Sequence, residues 1–251
     1  MRLTIIGCAG SFPSPESPAS CYLVEHEGTS VVLDLGNGAL GPLARHVDLR
    51  SVDAVVLSHL HPDHCLDLTG YYVARAYHPD GPAPKLSVHG PSGAERRIAA
   101  AYRAGPTDSG RGIERAFSFL ELGSAAIGIG PFQVTVAQVV HPVPAYAIRV
   151  TAGGRSLAYS GDTGPTEALV DLARGADLAL FEASFLSGPS NPAGLHLTAR
   201  QAAEHATAAA VPRLLLTHLV AWNDPSQSLA EAEDVFEGEV RLASPGMAVD
   251  L

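Results

Sequence analysis

The sequence predicts an α/β protein in which two β-sheets pack on each other with helices on the outside. Three observations lead there. Candidate strands outnumber candidate helices in both halves of the chain, and the helices follow strands that end in polar clusters. At 251 residues and 46% hydrophobic content, the chain can also bury a large core.

The elements follow in order. Residues 2–6 read as a strand entering a glycine turn at Gly7, and 20–25 and 30–35 as strands joined by His26-Glu27-Gly28-Thr29. Residues 53–58 are apolar enough for a buried strand, and Asp63 to about Tyr77 has helical character. A short strand at 85–89 precedes a helix at 93–103. Residues 132–140 alternate as a strand does, and 145–151 and 155–160 continue the sheet around Gly153-Gly154. Residues 177–181 form an apolar strand, and Thr198-Ala199-Arg200-Gln201 is a capping box that opens an alanine-rich helix to about Ala210. A strand at 214–216, a helix at 228–236 and a last strand at 247–250 complete the pattern. The glycine- and proline-rich stretches 104–112 and 187–194 read as surface loops within a single domain, residues 1–251.

Composition narrows the function classes. The net charge is −10, and Lys85 is the only lysine among sixteen basic residues, a poor surface for tracking a nucleic-acid backbone. No apolar run approaches the ~20 residues of a membrane span. The first residues lack the charged and apolar regions of a signal peptide. Three cysteines, Cys8, Cys21 and Cys65, are odd in number and unevenly spaced, which argues against a disulfide framework and for the cytoplasm.

The chemistry concentrates in His59-Leu60-His61-Pro62-Asp63-His64, directly after the buried strand. In an extended stretch His59 and His61 share a face. Pro62 suits a first helical turn, which carries Asp63 and His64 round to a second position. Imidazoles and a carboxylate crowded this closely need a compensating charge, so the segment predicts ligands for two adjacent cations. Cys65 adjoins the cluster as a weaker thiolate candidate. Other strand ends repeat the theme, with His141 after Val139-Val140, Asp162 within Ser160-Gly161-Asp162-Thr163, and His218 after Leu214-Leu215-Leu216-Thr217.

The order HxHxDH, H, GDT, TH resembles the metallo-β-lactamase superfamily over the whole chain, and Asp34-Leu35-Gly36-Asn37-Gly38 matches its early aspartate-glycine segment. The resemblance implies a four-layer αββα sandwich with two divalent ions at one edge. These would be zinc, with manganese or iron compatible with the same donors. By motif, His59, His61 and His141 would hold one ion, Asp63, His64 and His218 the other, and Asp162 would bridge them. Two cations roughly 3.5–4 Å apart can lower the pKa of a shared water and neutralise a phosphoryl transition state, with Asp63 orienting the attacking hydroxide.

The segments Leu180 to Phe185, His196 to Ala203 and Leu215 to His218 resemble the ribonuclease Z branch. There a histidine at the position of His196 assists the leaving alkoxide, and a glutamate at that of Glu182 steadies it. The tRNA-processing members insert a basic arm between the positions of His141 and Asp162, which here are only 21 apart. No arm fits, and tRNA becomes a poor substrate candidate. Segments 8–15, 20–23 and 68–73 resemble actinobacterial cyclic-nucleotide phosphodiesterases, which implies hydrolysis of cyclic AMP to AMP by a homodimer. A ribonuclease Z-type RNA 3′-end endonuclease, a lactone, thioester or β-lactam hydrolase and a non-catalytic metal module remain alternatives. Around the site, Tyr71 is a candidate for base stacking, His89 for a supporting position, and Ser160 and Thr163 for orienting Asp162. Tyr72 and Tyr77 read as a mixture of core and surface. Arg96, Arg97, Arg103, Arg111 and Arg115 read as a solvated face, and His26, His46, His78 and His205 as surface or structural residues.

Overall fold

The computed structural model describes residues 1–103, 105 and 112–251, so Arg111 and most of the predicted 104–112 loop lie outside the described residues. In the first half the elements are β1 (Arg2–Gly7), β2 (Cys21–His26), β3 (Thr29–Leu33), α1 (Leu40–Leu43), β4 (Ala54–Val56), α2 (Pro62–Cys65), α3 (Leu68–Ala76), β5 (Leu86–Gly90), α4 (Ala94–Tyr102), β6 (Phe117–Glu121) and β7 (Ile127–Ile129). The second half contributes β8 (Phe132–Gln138), β9 (Tyr146–Ala152), β10 (Arg155–Tyr159), α5 (Glu167–Ala173), β11 (Leu178–Glu182), α6 (Ala199–Ala208), β12 (Arg213–Thr217), α7 (Pro225–Glu233), β13 (Glu239–Leu242) and β14 (Ala248–Asp250).

Two mixed sheets result, ordered β14-β1-β2-β3-β4-β5-β6 and β13-β12-β11-β10-β9-β8-β7. Each sheet is antiparallel at one end and parallel at the other, with β3, β4, β5 and β6 parallel in one and β10, β11, β12 and β13 parallel in the other. Alternation along the strands puts one set of side chains between the sheets. Leu3, Ile5, Tyr22, Val31, Leu33 and Val56 meet Val134, Ile148, Val150, Leu157 and Leu180 there. The opposite faces bury against helices. Val32, Val55 and Val88 pack with Leu68, Tyr71 and Ile98, while Ala158, Ala179 and Phe181 pack with Leu169, Ala202, Ala203 and Ala206. The order helix, sheet, sheet, helix is the αββα sandwich.

The predicted helix from Asp63 to Tyr77 is two helices. Its break comes from the Asp34 segment, which inserts its own backbone: Leu35 N–H donates to the His64 carbonyl at 2.8 Å and Asp67 N–H to the Leu35 carbonyl at 3.2 Å. The amide of Asp67 therefore leaves the helical ladder. Gly36 permits this approach, since a Cβ there would lie 1.9 Å from the Asp63 carbonyl oxygen. Helices α1 and α5 and strands β6, β7 and β13 were not predicted. Among the described residues no helix is long and apolar enough to cross a membrane.

Candidate metal centre

All the motif histidines and aspartates converge in the loops that leave the carboxyl ends of β4, β8, β10 and β12. The loop after β4 places His61 as the N-cap of α2 and Pro62 at its first position. His59 Nε2 lies 3.0 Å from His61 Nδ1, and His141 Nε2 lies 3.2 Å from the same atom. Asp162 Oδ2 stands 3.6 Å from His59 Nε2. On the other side, His64 Nε2 is 3.2 Å from His218 Nε2, and Asp63 Oδ2 is 3.1 Å from His218 Nε2. Asp162 Oδ1 completes that set, 3.2 Å from His64 Nε2 and 3.5 Å from His218 Nε2. Asp162 thus turns one oxygen toward each set.

These contacts are not a satisfied hydrogen-bond network. The Ser58 hydroxyl donates to Asp34 Oδ2 at 2.7 Å, so the Ser58 oxygen accepts from His59 Nδ1 at 3.1 Å. His141 Nδ1 donates to the Leu195 carbonyl at 2.9 Å. Both rings therefore present bare Nε2 lone pairs to His61 Nδ1, which has at most one proton to give. Buried Asp162 Oδ1 has no hydrogen-bond partner. Lone pairs converging in a closed space call for a cation. Donors at the zinc–nitrogen distance from a tetrahedral ion are about 3.3 Å apart, and the separations here cluster round that value. The residues fit two divalent ions.

Four of the ligand rings, His59, His64, His141 and His218, have a partner behind them. Asp34, buried and at φ 56°, accepts from the Ser58 amide, the Ser58 hydroxyl, the Tyr159 hydroxyl and His64 Nδ1, all within 2.7 Å. That fixes His64 with Nε2 toward the centre. His218 Nδ1 donates to Ser184 Oγ at 2.7 Å, and Ser184 Oγ–H donates to Glu182 Oε2 at 3.0 Å. The other oxygen of Glu182 accepts from His196 Nδ1 at 2.8 Å and from the Thr163 amide at 3.0 Å. One buried carboxylate therefore orients both His196 and, through Ser184, His218.

Charge follows from this wiring. Burial pushes the pKa of His59, His61 and His141 below the ordinary histidine value, favouring the neutral rings that ligation requires. Burial opposes protonation of His64, but the carboxylates of Asp162 and Asp34 on either side outweigh it and raise its pKa. A metal bound there must displace that proton. Burial also opposes a charged His196, and the Glu182 carboxylate overrides it, raising the pKa to about 9. Asp63 is held below the usual carboxylate range, its burial outweighed by His218 and His64.

The structure brings together His59, His61, Asp63, His64, His141, Asp162 and His218, and sets Glu182 and His196 beside them within one ligand-forming cluster with His218. Four expectations change. Tyr71 is buried with its hydroxyl on the Leu49 carbonyl, so its ring cannot meet a base. Cys65 gives its thiol to the His61 carbonyl and joins no ligand set. Ser160 and Thr163 brace Glu182 and the loop rather than the Asp162 side chain: the Ser160 hydroxyl oxygen accepts from the Glu182 amide at 2.9 Å. The His89 ring shares no hydrogen bond with any of the seven ligand residues, so it does not hold the supporting position expected of it. Arg97 is half-buried, its Nε on the Leu60 carbonyl, whereas Arg96, Arg103 and Arg115 are exposed. His205 is structural, accepting from the Thr166 amide. Sequence reasoning missed Ser58, Tyr159 and Ser184, whose only signal was adjacency to ligand-bearing strand ends.

His196 also borders a cavity of about 530 Å³ lined by Phe185, Asn191, Arg200, Gln201 and Glu204. A family model described as a beta-lactamase superfamily domain matches residues 29–219. The chain is 42% identical to the protein Rv1339 of Mycobacterium tuberculosis, over 96% of this chain and 88% of that one. The crystal structure of the metallo-β-lactamase fold protein YhfI from Bacillus subtilis is 28% identical, covers 99% of this chain and 98% of that chain, and has a TM-score of 0.87. The short form of human tRNase Z shares the fold at 22% identity, covering 100% of this chain and 99% of that chain with a TM-score of 0.77.

Proposed function

The chain belongs to the metallo-β-lactamase superfamily, and on that premise we propose that it is a two-metal phosphodiesterase that opens 3′,5′-cyclic nucleotides, turning cyclic AMP into AMP. One observation carries the reading: His196 is clasped by buried Glu182 at 2.8 Å, beside a carboxylate, Asp162, that faces both ligand sets. His59, His61 and His141 would hold one ion and Asp63, His64 and His218 the other, with Asp162 shared. When bound, two divalent ions (zinc, or manganese or iron with the same donors) would activate water and offset phosphoryl charge.

The chain's own groups do the rest. Asp63, kept ionised by the two rings beside it, orients the attacking water. A ribose oxygen leaves poorly unless protonated, and His196 is placed to supply that proton. Its Nδ1 is committed to Glu182, which leaves Nε2 to give the proton to the departing 3′-oxygen. Glu182 remains an anion throughout and stabilises the imidazolium before transfer. The opening of the ring joins one water across one P–O bond, giving a phosphomonoester and a free 3′-hydroxyl.

Substrate size is argued from the interval between His141 and Asp162. The β9–β10 hairpin fills it, leaving no segment for an arm that would grip a folded RNA. The net charge of −10 points the same way. RNA 3′-end cleavage is the second reading, favoured by the fold shared with human tRNase Z. Protein loaded separately with zinc, manganese or iron and given cyclic AMP should release AMP on a chromatogram, while a precursor tRNA stays intact. Cleavage of the tRNA at one site without AMP release would transfer the assignment to the second reading. The same reading takes residues 1–251 as one cytoplasmic domain working as a homodimer, which light scattering on purified protein checks.

A further inference from the structure

One pair of large aromatic side chains is left in solvent beside the metal centre. Phe12 is 40% exposed and Trp222 72% exposed, yet their ring centroids are 5.3 Å apart with a 37° tilt. Exposed apolar rings usually stand singly, so a paired arrangement needs a reason.

Both rings are mounted on braced backbone. The 8–12 segment lies flush against the segment after β12: Gly10 N–H donates to the Leu219 carbonyl at 3.0 Å and Leu219 N–H to the Cys8 carbonyl at 3.2 Å. A Cβ on Gly10 would stand 2.4 Å from the His218 carbonyl oxygen, so only glycine allows this fit. Ser11, at φ 63°, points its N–H at His218 Nε2, 3.3 Å away. Standard chain dimensions then put the Phe12 Cα within about 9 Å of that nitrogen. Trp222 sits on a turn closed by Asn223 N–H to the Val220 carbonyl at 3.0 Å. The Asn223 side chain ties that turn, at 2.9 Å, to the carbonyl of Ser184, the residue that orients His218.

We propose that Phe12 and Trp222 form a stacking platform for the nucleobase of the substrate, one sugar ring away from the phosphate at the metal centre. The proposal rests on the phosphodiesterase reading for its substrate and adds where the base binds. An aromatic pair accepts any base through its π-face and demands no hydrogen-bond pattern, so it gives affinity for nucleotides over plain sugar phosphates without a strong choice among bases. The other aromatic candidate for stacking, Tyr71, is removed by its burial.

Trp222 is the only tryptophan of the chain, so its emission reports on the platform alone. AMP titrated into metal-loaded protein should quench that emission to saturation, and ribose 5-phosphate and inorganic phosphate should not. Trp222→Ala should raise the KM for cyclic AMP about tenfold with kcat changing less than about threefold, and Trp222→Phe should recover most of the loss. Phe12→Ala should raise KM and blunt the quench. Equal quenching by ribose 5-phosphate, or an unchanged KM in both alanine variants, would overturn the proposal. So would emission that follows protein concentration instead of AMP, which would assign the pair to contact with a second copy. Absence of cyclic AMP turnover would sink the phosphodiesterase reading, while AMP against ribose 5-phosphate in the emission experiment would still decide the platform.

Discussion

The two sheets deliver their ligands in different ways. The first supplies His59, His61, Asp63 and His64 from one six-residue turn after β4, whereas the second supplies His141, Asp162 and His218 from the ends of β8, β10 and β12. The first set is local: one proline, one helix start and the Asp34 clasp arrange it. The second set depends on the register of five neighbouring strands, β8 to β12, so its geometry is a property of the whole sheet. The two are pinned across the core, by the Tyr159 hydroxyl on Asp34 at 2.6 Å and by Tyr22 with Thr217 at 2.7 Å. A site split this way should respond unequally to damage on its two sides.

Asp162→Asn gives the largest contrast, because Asp162 alone faces both ligand sets. It should abolish retention of both ions after dialysis and lower turnover by about 10³-fold or more, read by metal analysis and rate together. Retention of two ions would contradict the shared role. His196→Ala comes next and separates acid catalysis from ligation. Cyclic AMP turnover should fall by about 10²-fold or more, while a p-nitrophenyl phosphodiester, whose leaving group needs no proton, should lose far less. Equal losses on both substrates would remove His196 from that role.

The first sheet's contribution was legible before the fold because it is packed into one stretch of chain. The second became legible only as a set, since a histidine after Val140 or an aspartate after Gly161 is ordinary in isolation. The supporting residues were not legible at all. Ser184 matters because β11 and β12 run in parallel register and bring it under His218, a fact of pairing rather than of local sequence. The same limit applies to secondary structure. Strands β7 and β13 are three and four residues long, too short to show a period, although the Thr166 cap that opens α5 was there to be read. The break in the helix after Asp63 is tertiary, caused by the Leu35 backbone.

Smaller effects refine the contrast. Ser184→Ala should weaken metal affinity and turnover about 10- to 100-fold by releasing the His218 ring, and Ser184→Thr should restore them, as isothermal titration with the metal would show. Metal affinity should rise with pH, since the proton favoured on His64 by Asp162 and Asp34 must leave before the ring can ligate. Titrations at several pH values should show proton release on loading, and affinity independent of pH would contradict that order. Tyr159→Phe should have the least effect, under about tenfold, because Asp34 keeps its bonds to Ser58 and His64.

The most direct test is a stepwise metal titration of the stripped protein with cyclic AMP hydrolysis followed at each step. The split site predicts two ions per chain, with AMP release rising as the second binds, and one ion with little turnover for His61→Ala. Full turnover with a single bound ion, or no AMP at any loading, would contradict it.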